Sequence, residues 1–477
     1  MKDWHWSIGI AVLFIQVGGV LLALRAILIS RTPQAGIAWV IGLITFPILA
    51  IPLFLVFGES RFTGYKQAGR GESPELDRLL DETDQRLRAF QTPPDDPQSD
   101  AIRLNERLIG LPLTHGNRAD LLVDGKQTFD AIGSAIDAAS ESVVFQFFII
   151  RDDGLGKKMQ THLIAALRRG VEVFVTFDQV GSHQLPESYI EDLKAAGAQV
   201  RRFVTNRQLG TKFRVNFRNH RKLVLVDRKV AFVGGLNVGD EYMGLSPRFG
   251  PWRDTFVRLE GPVAHALAIP FAEDWEFTSK SVPALRGSDI PIRAGEARVF
   301  TIPAGPAPVW NVCPATLIEI IRSTRRRLWL ASPYFIPDSS LLAAIGHAAL
   351  RGVDVRLILP QNPDHLLPWL TSFTFYPKLR EAGVRVFRYQ TGFMHQKVLL
   401  ADDSLAVVGS INLDYRSFML NFELSVGVFD QQFAHSVEQM FLEDFAESNP
   451  EDLRSYEDGS LVFRLKCRAA SLLSTQQ

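Results

Sequence analysis

His220-Arg221-Lys222-Leu223-Val224-Leu225-Val226-Asp227, followed by Gly234-Gly235-Leu236-Asn237, has a second copy in this chain. The copy reads His395-Gln396-Lys397-Val398-Leu399-Leu400-Ala401-Asp402, followed by Gly409-Ser410-Ile411-Asn412. In both, Lys follows His by two, Asp follows Lys by five, the Gly-Gly or Gly-Ser pair starts seven after Asp, and Asn stands ten after Asp. One His-x-Lys on a strand is an ordinary coincidence. Two copies that keep every polar residue at the same spacing are not.

The apolar runs 223–226 and 398–401 read as short buried strands. On an extended chain, residues two apart share a face, so His220 lies beside Lys222 and His395 beside Lys397. Asp227 and Asp402 fall where the apolar run stops, which suits a turn, and 230–233 and 405–408 are the returning strands. The glycine that follows each return lets a backbone or ligand come close. Each copy therefore supplies an imidazole, an ammonium and, from Asn237 or Asn412, an amide. Two such sets suit a phosphodiester. Attack at phosphorus builds negative charge on the equatorial oxygens, which fixed donors stabilise. One imidazole can attack while the other protonates the leaving oxygen. The scheme calls for no metal and no cofactor.

At these residues the chain resembles the phospholipase D superfamily, whose signature is a paired His-x-Lys-x4-Asp motif, and more closely its bacterial cardiolipin synthases. The resemblance also rests on Asn219 before His220, Glu241-Tyr242, Trp252-Arg253-Asp254, Phe393-Met394 before His395, and Asn421-Phe422-Glu423. It reaches from the N-terminal apolar segment almost to the C-terminus. It implies an α/β fold: an N-terminal two-helix transmembrane hairpin, then two α/β/α sandwiches related by a pseudo-twofold, with the two motifs meeting between them. It implies a catalytic set of His220, Lys222, Asp227, His395, Lys397 and Asp402, in which the two Asp hold their turns rather than touch phosphate. Asn237 and Asn412 then bind the phosphate oxygens, and Asp254 and Glu423 orient the histidines. The implied reaction joins two phosphatidylglycerols into cardiolipin and glycerol through a phosphohistidine, with phosphatidylethanolamine as another donor. A phospholipase D hydrolase and an inert lipid-binding scaffold are the alternatives. Two departures from the family stand in the first half, Phe147-Phe148 where a Tyr is common and Arg228 where a Gly is common. Neither is expected to touch the reacting set.

Composition agrees with a lipid enzyme. The 52 basic and 52 acidic residues of the 477-residue chain cancel, without the basic excess of a nucleic-acid binder. Cys313 and Cys467 form no Cys-x-x-Cys pattern, so no disulfide framework or zinc site is indicated. Residues 7–24 and 35–57 are apolar and long enough to span a bilayer, with Trp4, Trp6 and Trp39 suited to its interfaces. Lys2, Arg61, Lys66 and Arg70 flank the hairpin's ends against Arg25 and Arg31 in its turn. That bias places the catalytic part on the cytoplasmic side of the cell membrane, as a multi-pass protein. The expected organisation is an anchor (1–58), a polar linker (59–100) holding a helix at 74–90, a first domain (101–285) and a second (286–477).

Both halves alternate helix and strand. The first reads as helix 129–139, strand 142–150, helix 158–169 ending at Gly170 and strand 171–177. The second reads as helix 315–324, strand 328–336, helix 341–351 ending at Gly352 and strand 353–359. The aromatic stretches 243–252 and 366–376 suit either an acyl-chain entry or ordinary packing. Residues 461–473 mix apolar side chains with Arg464, Lys466 and Arg468, and suit either a membrane surface or a packed terminal helix.

Overall fold

The computed structural model describes residues 2–30, 33–58, 73–92, 99–205, 216–287, 291–306 and 311–473. The chain divides into two compact units, 1–66 with 204–218, and 67–203 with 219–477.

In the first unit, Lys2–Ile29 is one helix, and its segment Trp6–Ile29 is long and apolar enough to cross a membrane. The expected second span, 35–57, is not one helix but two shorter ones, Pro33–Thr45 and Pro47–Phe57, broken at Phe46. Proline explains the break. Pro47 has no N–H for the carbonyl of Leu43, and its ring crowds that turn. Gly19 of the first helix approaches the Leu43 carbonyl so closely that a Cβ there would stand 2.4 Å from its oxygen. Gln16 Nε2 donates to the Ile44 carbonyl at 3.0 Å, and Trp39 meets Phe54 edge-on at 5.1 Å.

The second unit is built on one mixed sheet. Its first half supplies β1 (Thr114–Val123), β2 (Ser142–Phe147), β3 (Glu172–Asp178), β4 (Gln199–Phe203), β5 (Leu223–Val226), β6 (Val230–Gly234) and β7 (Thr255–Glu260). The second supplies β8 (Ala297–Ala304), β9 (Arg327–Ala331), β10 (Asp354–Pro360), β11 (Arg385–Tyr389), β12 (Val398–Ala401), β13 (Leu405–Gly409) and β14 (Glu423–Phe429), with a short β15 (Ser448–Pro450) on its edge. Outward from the centre the orders are 1-7-6-5-2-3-4 and 8-14-13-12-9-10-11. Adding seven converts one into the other, so the duplication read from the motifs extends through the whole sheet. The halves join where β1 and β8 pair antiparallel.

The helices Asp124–Asp137, Gly154–Arg168 and Glu187–Ala195 bury Phe129, Met159 and Tyr189 in the core of the first half. Val312–Ser323, Ser339–Leu350 and Tyr376–Ala382 do the same in the second half. Gly170 and Gly352 follow the matched helices in the left-handed region that ends a helix without strain. The helices Val263–Ser279 and Gln431–Ala446 share one apolar cluster with Val257, Val299, Trp329 and Val426, so the two halves have a core in common. Helix Ser99–Ile109 precedes β1, yet its Ile102 lies in the core of the second half and Asn105 donates to Thr316 at 3.2 Å. Inside the expected linker, Pro74–Leu87 is a helix whose Leu87 packs with Ala266 and Ile269.

Two expected strands are shorter than read. β2 stops at Phe147, and β9 stops at Ala331 before Ser332-Pro333, where proline removes a ladder donor. Phe335–Ile336 instead pairs with Leu413–Asp414. The strands of the repeated motif, β5 and β12, keep the bounds 223–226 and 398–401. Asp227 and Asp402 both close their turns at φ 52. The Asp227 carboxylate accepts from the N–H groups of Ser140, Glu141 and Ser142 at 2.7–2.9 Å and from the Ser140 hydroxyl. Burial works to raise its pKa, but these donors outweigh it and hold the group below its usual range. Asp402 likewise accepts from the N–H groups of Arg325, Arg326 and Arg327. At the rise of a strand, Asp227 is roughly 16 Å along the chain from Lys222. Both acids tie a turn to the start of the neighbouring strand.

Candidate active site

The lead-in to each motif runs alongside the other half. Asn219 bridges to Phe422 in parallel, and His220 N donates to the Phe422 carbonyl at 2.8 Å. Phe393–Met394 pairs in parallel with Trp252–Arg253, and His395 N donates to the Arg253 carbonyl at 2.8 Å. Each histidine therefore arrives beside the residue that precedes the other half's carboxylate. His220 Nδ1 lies 2.9 Å from Glu423, and His395 Nδ1 lies 2.7 Å from Asp254. Among the described residues, the acid that contacts each histidine's Nδ1 comes from the other half.

The two carboxylates are not equivalent. Glu423 is fully buried and also takes the hydroxyls of Ser410 at 2.5 Å and Ser417 at 3.0 Å and the amide of Asn421 at 3.2 Å. Burial opposes its charge, but His220, Lys222 and Ser410 hold its pKa below the ordinary value. Asp254 accepts from the Thr255 N–H at 2.8 Å besides its contact with His395, and burial raises it to about 6 against the pull of Lys397. This accounts for the one difference between the glycine pairs. A Cβ at Gly235 would stand 2.2 Å from Asp254 Oδ1, whereas Ser410 bonds Glu423.

Lys222 Nζ donates to the His220 carbonyl at 2.7 Å, and Lys397 Nζ to the His395 carbonyl. Lys397 Nζ also lies 2.8 Å from His395 Nδ1. Burial lowers Lys222 to about 7, with Glu423 opposing and Lys397 adding to the shift, and lowers Lys397 to about 8 against Asp254. Burial likewise lowers His220 to about 4 despite Glu423, and drives His395 well down with help from Lys397. Both rings are thus neutral near pH 7, as a nucleophile must be. A phosphodiester anion among four such groups favours their charged forms. Above pH 7 to 8 the lysines lose charge in the free protein, so anion binding must take up a proton there. Titration calorimetry of a short-chain phosphatidylglycerol in buffers of different ionisation heat should show greater uptake at pH 8.5 than at pH 6.5, where the lysines are already charged. Above pH 8 affinity should fall by up to about tenfold per pH unit for each lysine that must regain its proton.

Asn237 and Asn412 are both buried beside the motifs. Asn237 Oδ1 accepts from Ile149 N at 3.1 Å and its Nδ2 donates to Tyr242 at 3.2 Å. Asn412 Oδ1 has no partner among the described residues, so its side-chain amide is the less engaged of the two. Phe148 does touch the reacting set, contrary to the expectation. β2 ends one residue earlier, and the Phe148 ring meets His220 edge-on at 4.9 Å and lies 5.5 Å from Lys222 Nζ. Trp252 and Phe393 pack on His395 at 5.1 and 5.8 Å.

Comparison with known proteins agrees with this geometry. Residues 132–246 and 317–445, which hold one motif each, match the family described as "Cardiolipin synthase, PLD-like domain". The chain belongs to the cardiolipin synthase family. Among its relatives, cardiolipin synthase A of Pseudomonas entomophila (strain L48) is 41% identical over 476 residues, 99% of each chain. That of Pseudomonas aeruginosa (strain LESB58) is 43% identical over 457 residues, 94% of this chain and 92% of the relative. Among solved structures, the phosphatidylserine synthase of Haemophilus influenzae Rd KW20 superposes with a TM-score of 0.60 at 15% identity, covering 79% of this chain and 99% of that one. That likeness shows the fold. Membership in the cardiolipin synthase family makes the chain a phosphatidyltransferase.

Some residues of this cardiolipin synthase-type site were not singled out by their sequence positions. Arg221, between His220 and Lys222, is fully buried and pairs with Asp274 at 3.0 Å. It also donates to the carbonyls of Glu423 at 3.2 Å and Pro270 at 2.7 Å. Strand alternation was the available signal. A residue between two that face the site points away from it, and a buried guanidinium there needs an acid. Asp274 also accepts from Asn219 at 2.7 Å and Gln146 at 2.6 Å. In the second half Gln396 replaces Arg221, and Asp444 takes Arg253, the residue before Asp254, at 2.7 Å.

Proposed function

We propose that this enzyme transfers a phosphatidyl group between two phosphatidylglycerols through a phosphatidyl-histidine, giving cardiolipin and glycerol. The observation that carries the reading is the crossed pair: each imidazole is held at Nδ1 by a buried acid of the other half, which leaves Nε2 of both rings as the reactive atoms. His220 is the nucleophile, because Glu423 stays ionised and supports positive charge on the ring. Its Nε2 bonds to phosphorus as the bond to the headgroup glycerol breaks. His395 donates the proton that the glycerol oxygen takes. In the complex, the phosphodiester anion and the Asp254 carboxylate on Nδ1 favour the imidazolium form of His395, which carries that hydrogen on Nε2. A second phosphatidylglycerol then gives its hydroxyl proton to His395, and its oxygen displaces His220 from phosphorus. Lys222, Lys397 and Asn412, with Asn237 beside Tyr242, hold the phosphate oxygens. His395 is buried and the His220 side chain is only 13% exposed, which favours transfer over hydrolysis, because water competes poorly in an enclosed site.

The apolar helices support a membrane anchor, with the catalytic unit on the cytoplasmic side by the balance of Lys2, Arg61, Lys66 and Arg70 against Arg25 and Arg31. In this reading the broken pair Pro33–Thr45 and Pro47–Phe57 makes a second crossing, since membrane helices tolerate proline breaks.

The test is the product of purified protein in phosphatidylglycerol mixed micelles containing a chelator. Cardiolipin and glycerol in equal amounts are expected. Phosphatidic acid with glycerol would replace the transferase by a hydrolase. Product formed only after phosphatidylethanolamine is added would make that lipid the donor.

A further inference from the structure

The C-terminal helix Leu461–Ser471 is packed on one side only. Cys467 and Ala470 are buried, and Phe463 meets Phe373 edge-on at 5.2 Å, next to the short helix Leu366–Ser372. At about 100° per residue, Leu461, Val462, Leu465, Ala469 and Leu472 fall together on the opposite face. Leu461 is 64% exposed, Leu465 59% and Leu472 83%. Lys466 borders that stripe on one side, and Arg464 and Arg468 border it on the other. No acid stands between 461 and 473. An apolar stripe with cations on both margins is the pattern of a helix that lies in an anionic bilayer surface, its basic side chains reaching back to the headgroups.

Exposed apolar side chains also stand on the neighbouring helix. Leu366 and Leu367, at the start of the helix beside Phe373, are exposed. The residue two before Leu366 is Asp364, which accepts the Tyr334 hydroxyl at 2.5 Å and is among the charges acting on His395. Arg248 donates to the Asp364 carbonyl at 3.5 Å, and the neighbouring Leu245 is 67% exposed. Exposed apolar side chains therefore stand on the C-terminal helix, on the short helix beside it and near the Asp364 segment.

We propose that this face, formed by Leu461, Leu465, Leu472, Leu366, Leu367 and Leu245 with Arg464, Lys466 and Arg468 at its margin, docks the catalytic unit on the surface of an anionic phospholipid bilayer. The docking is separate from the N-terminal anchor and delivers lipid headgroups to the histidines. It rests on the reading of the site as a phospholipid transferase. An apolar face contributes by burial among acyl chains, and the cations by attraction to phosphatidylglycerol, which is also the substrate.

The test uses the full chain in proteoliposomes. Leu465→Cys or Leu472→Cys is labelled with an environment-sensitive fluorophore. The native Cys313 and Cys467 are buried and do not compete for it. Lipids carrying spin labels on their acyl chains should quench the probe at both positions in phosphatidylglycerol-containing vesicles. They should quench it much less in phosphatidylcholine vesicles, and hardly at all when it sits at Lys157→Cys, on an exposed polar face. Quenching no greater than at Lys157 would overturn the proposal. So would a shielded but unquenched probe that transfers energy between copies of the protein, which would give the face to a second chain. In a second arm, Leu461→Asp with Leu465→Asp should lower turnover of vesicle phosphatidylglycerol about tenfold. Turnover of a soluble short-chain phosphatidylglycerol should stay within about twofold. Equal turnover of vesicle lipid by the variant and the parent would overturn the proposal. Failure of the parent itself on the soluble substrate would instead overturn the transferase reading. A variant that does not fold leaves the quenching result to decide.

Discussion

Replacing His220 with Ala is expected to remove cardiolipin formation, by about 10⁴-fold or more, because the bond to phosphorus then has no nitrogen to form with. No covalent phosphatidyl-protein should be trapped by rapid acid quench. His395→Ala should differ in kind. Its first step lacks only the proton donor, worth about 10²- to 10⁴-fold, and its second lacks the base that activates the incoming hydroxyl. The adduct on His220 should therefore form slowly and persist. Quench experiments with labelled phosphatidylglycerol on both variants would separate these roles. An adduct in His220→Ala but not in His395→Ala would exchange them. The pair Glu423–His220 against Asp254–His395 gives the structural reason for the expected direction, since Glu423 alone is held ionised by a ring of donors.

Glu423→Gln is the second large effect. Gln keeps the shape but can offer His220 Nδ1 only one neutral oxygen, and its NH₂ must then face Ser417 and Asn421, where an acceptor stood. The positive charge that grows on His220 during attack loses its counter-charge. A fall in kcat of about 10²- to 10⁴-fold with KM little changed is expected, the size typical when the acid behind a catalytic imidazole is neutralised. The burst of adduct should slow by the same factor. Loss of KM instead of kcat would assign Glu423 to lipid binding. Asp254→Asn should be the milder change, because burial already pushes Asp254 toward its neutral form, up to about 6.

Much of the fold was legible because it is local. β5 and β12 have the bounds of their apolar runs, and Gly170 and Gly352 stop their helices, because chain alternation and left-handed glycine act within a few residues. The reacting groups were legible because the motif occurs twice. What could not be read is what spacing does not encode. Nothing in the order His220, Asp254, His395, Glu423 says that the acids cross between halves. Arg221 and Asp274 meet across more than fifty residues, and only the finished core brings them together. Phe148 was set aside because a single apolar run, 142–150, hid the end of β2. Residues 35–57 read as one apolar span kinked at Pro47 and Pro52; the structure makes the first kink a full break at Phe46 and keeps Pro52 inside the second helix.

The crossing of the two acids also bears on symmetry. A half that carries one His and one carboxylate, with the acid placed to serve its neighbour's His, closes no catalytic pair alone. Two such halves about a twofold axis close two, so a single half of this kind would complete its site only as a symmetric dimer. Within one chain the two copies need not be identical. Gly235 with Asp254 and Ser410 with Glu423 are where they differ, so each imidazole can have surroundings suited to its own half of the reaction.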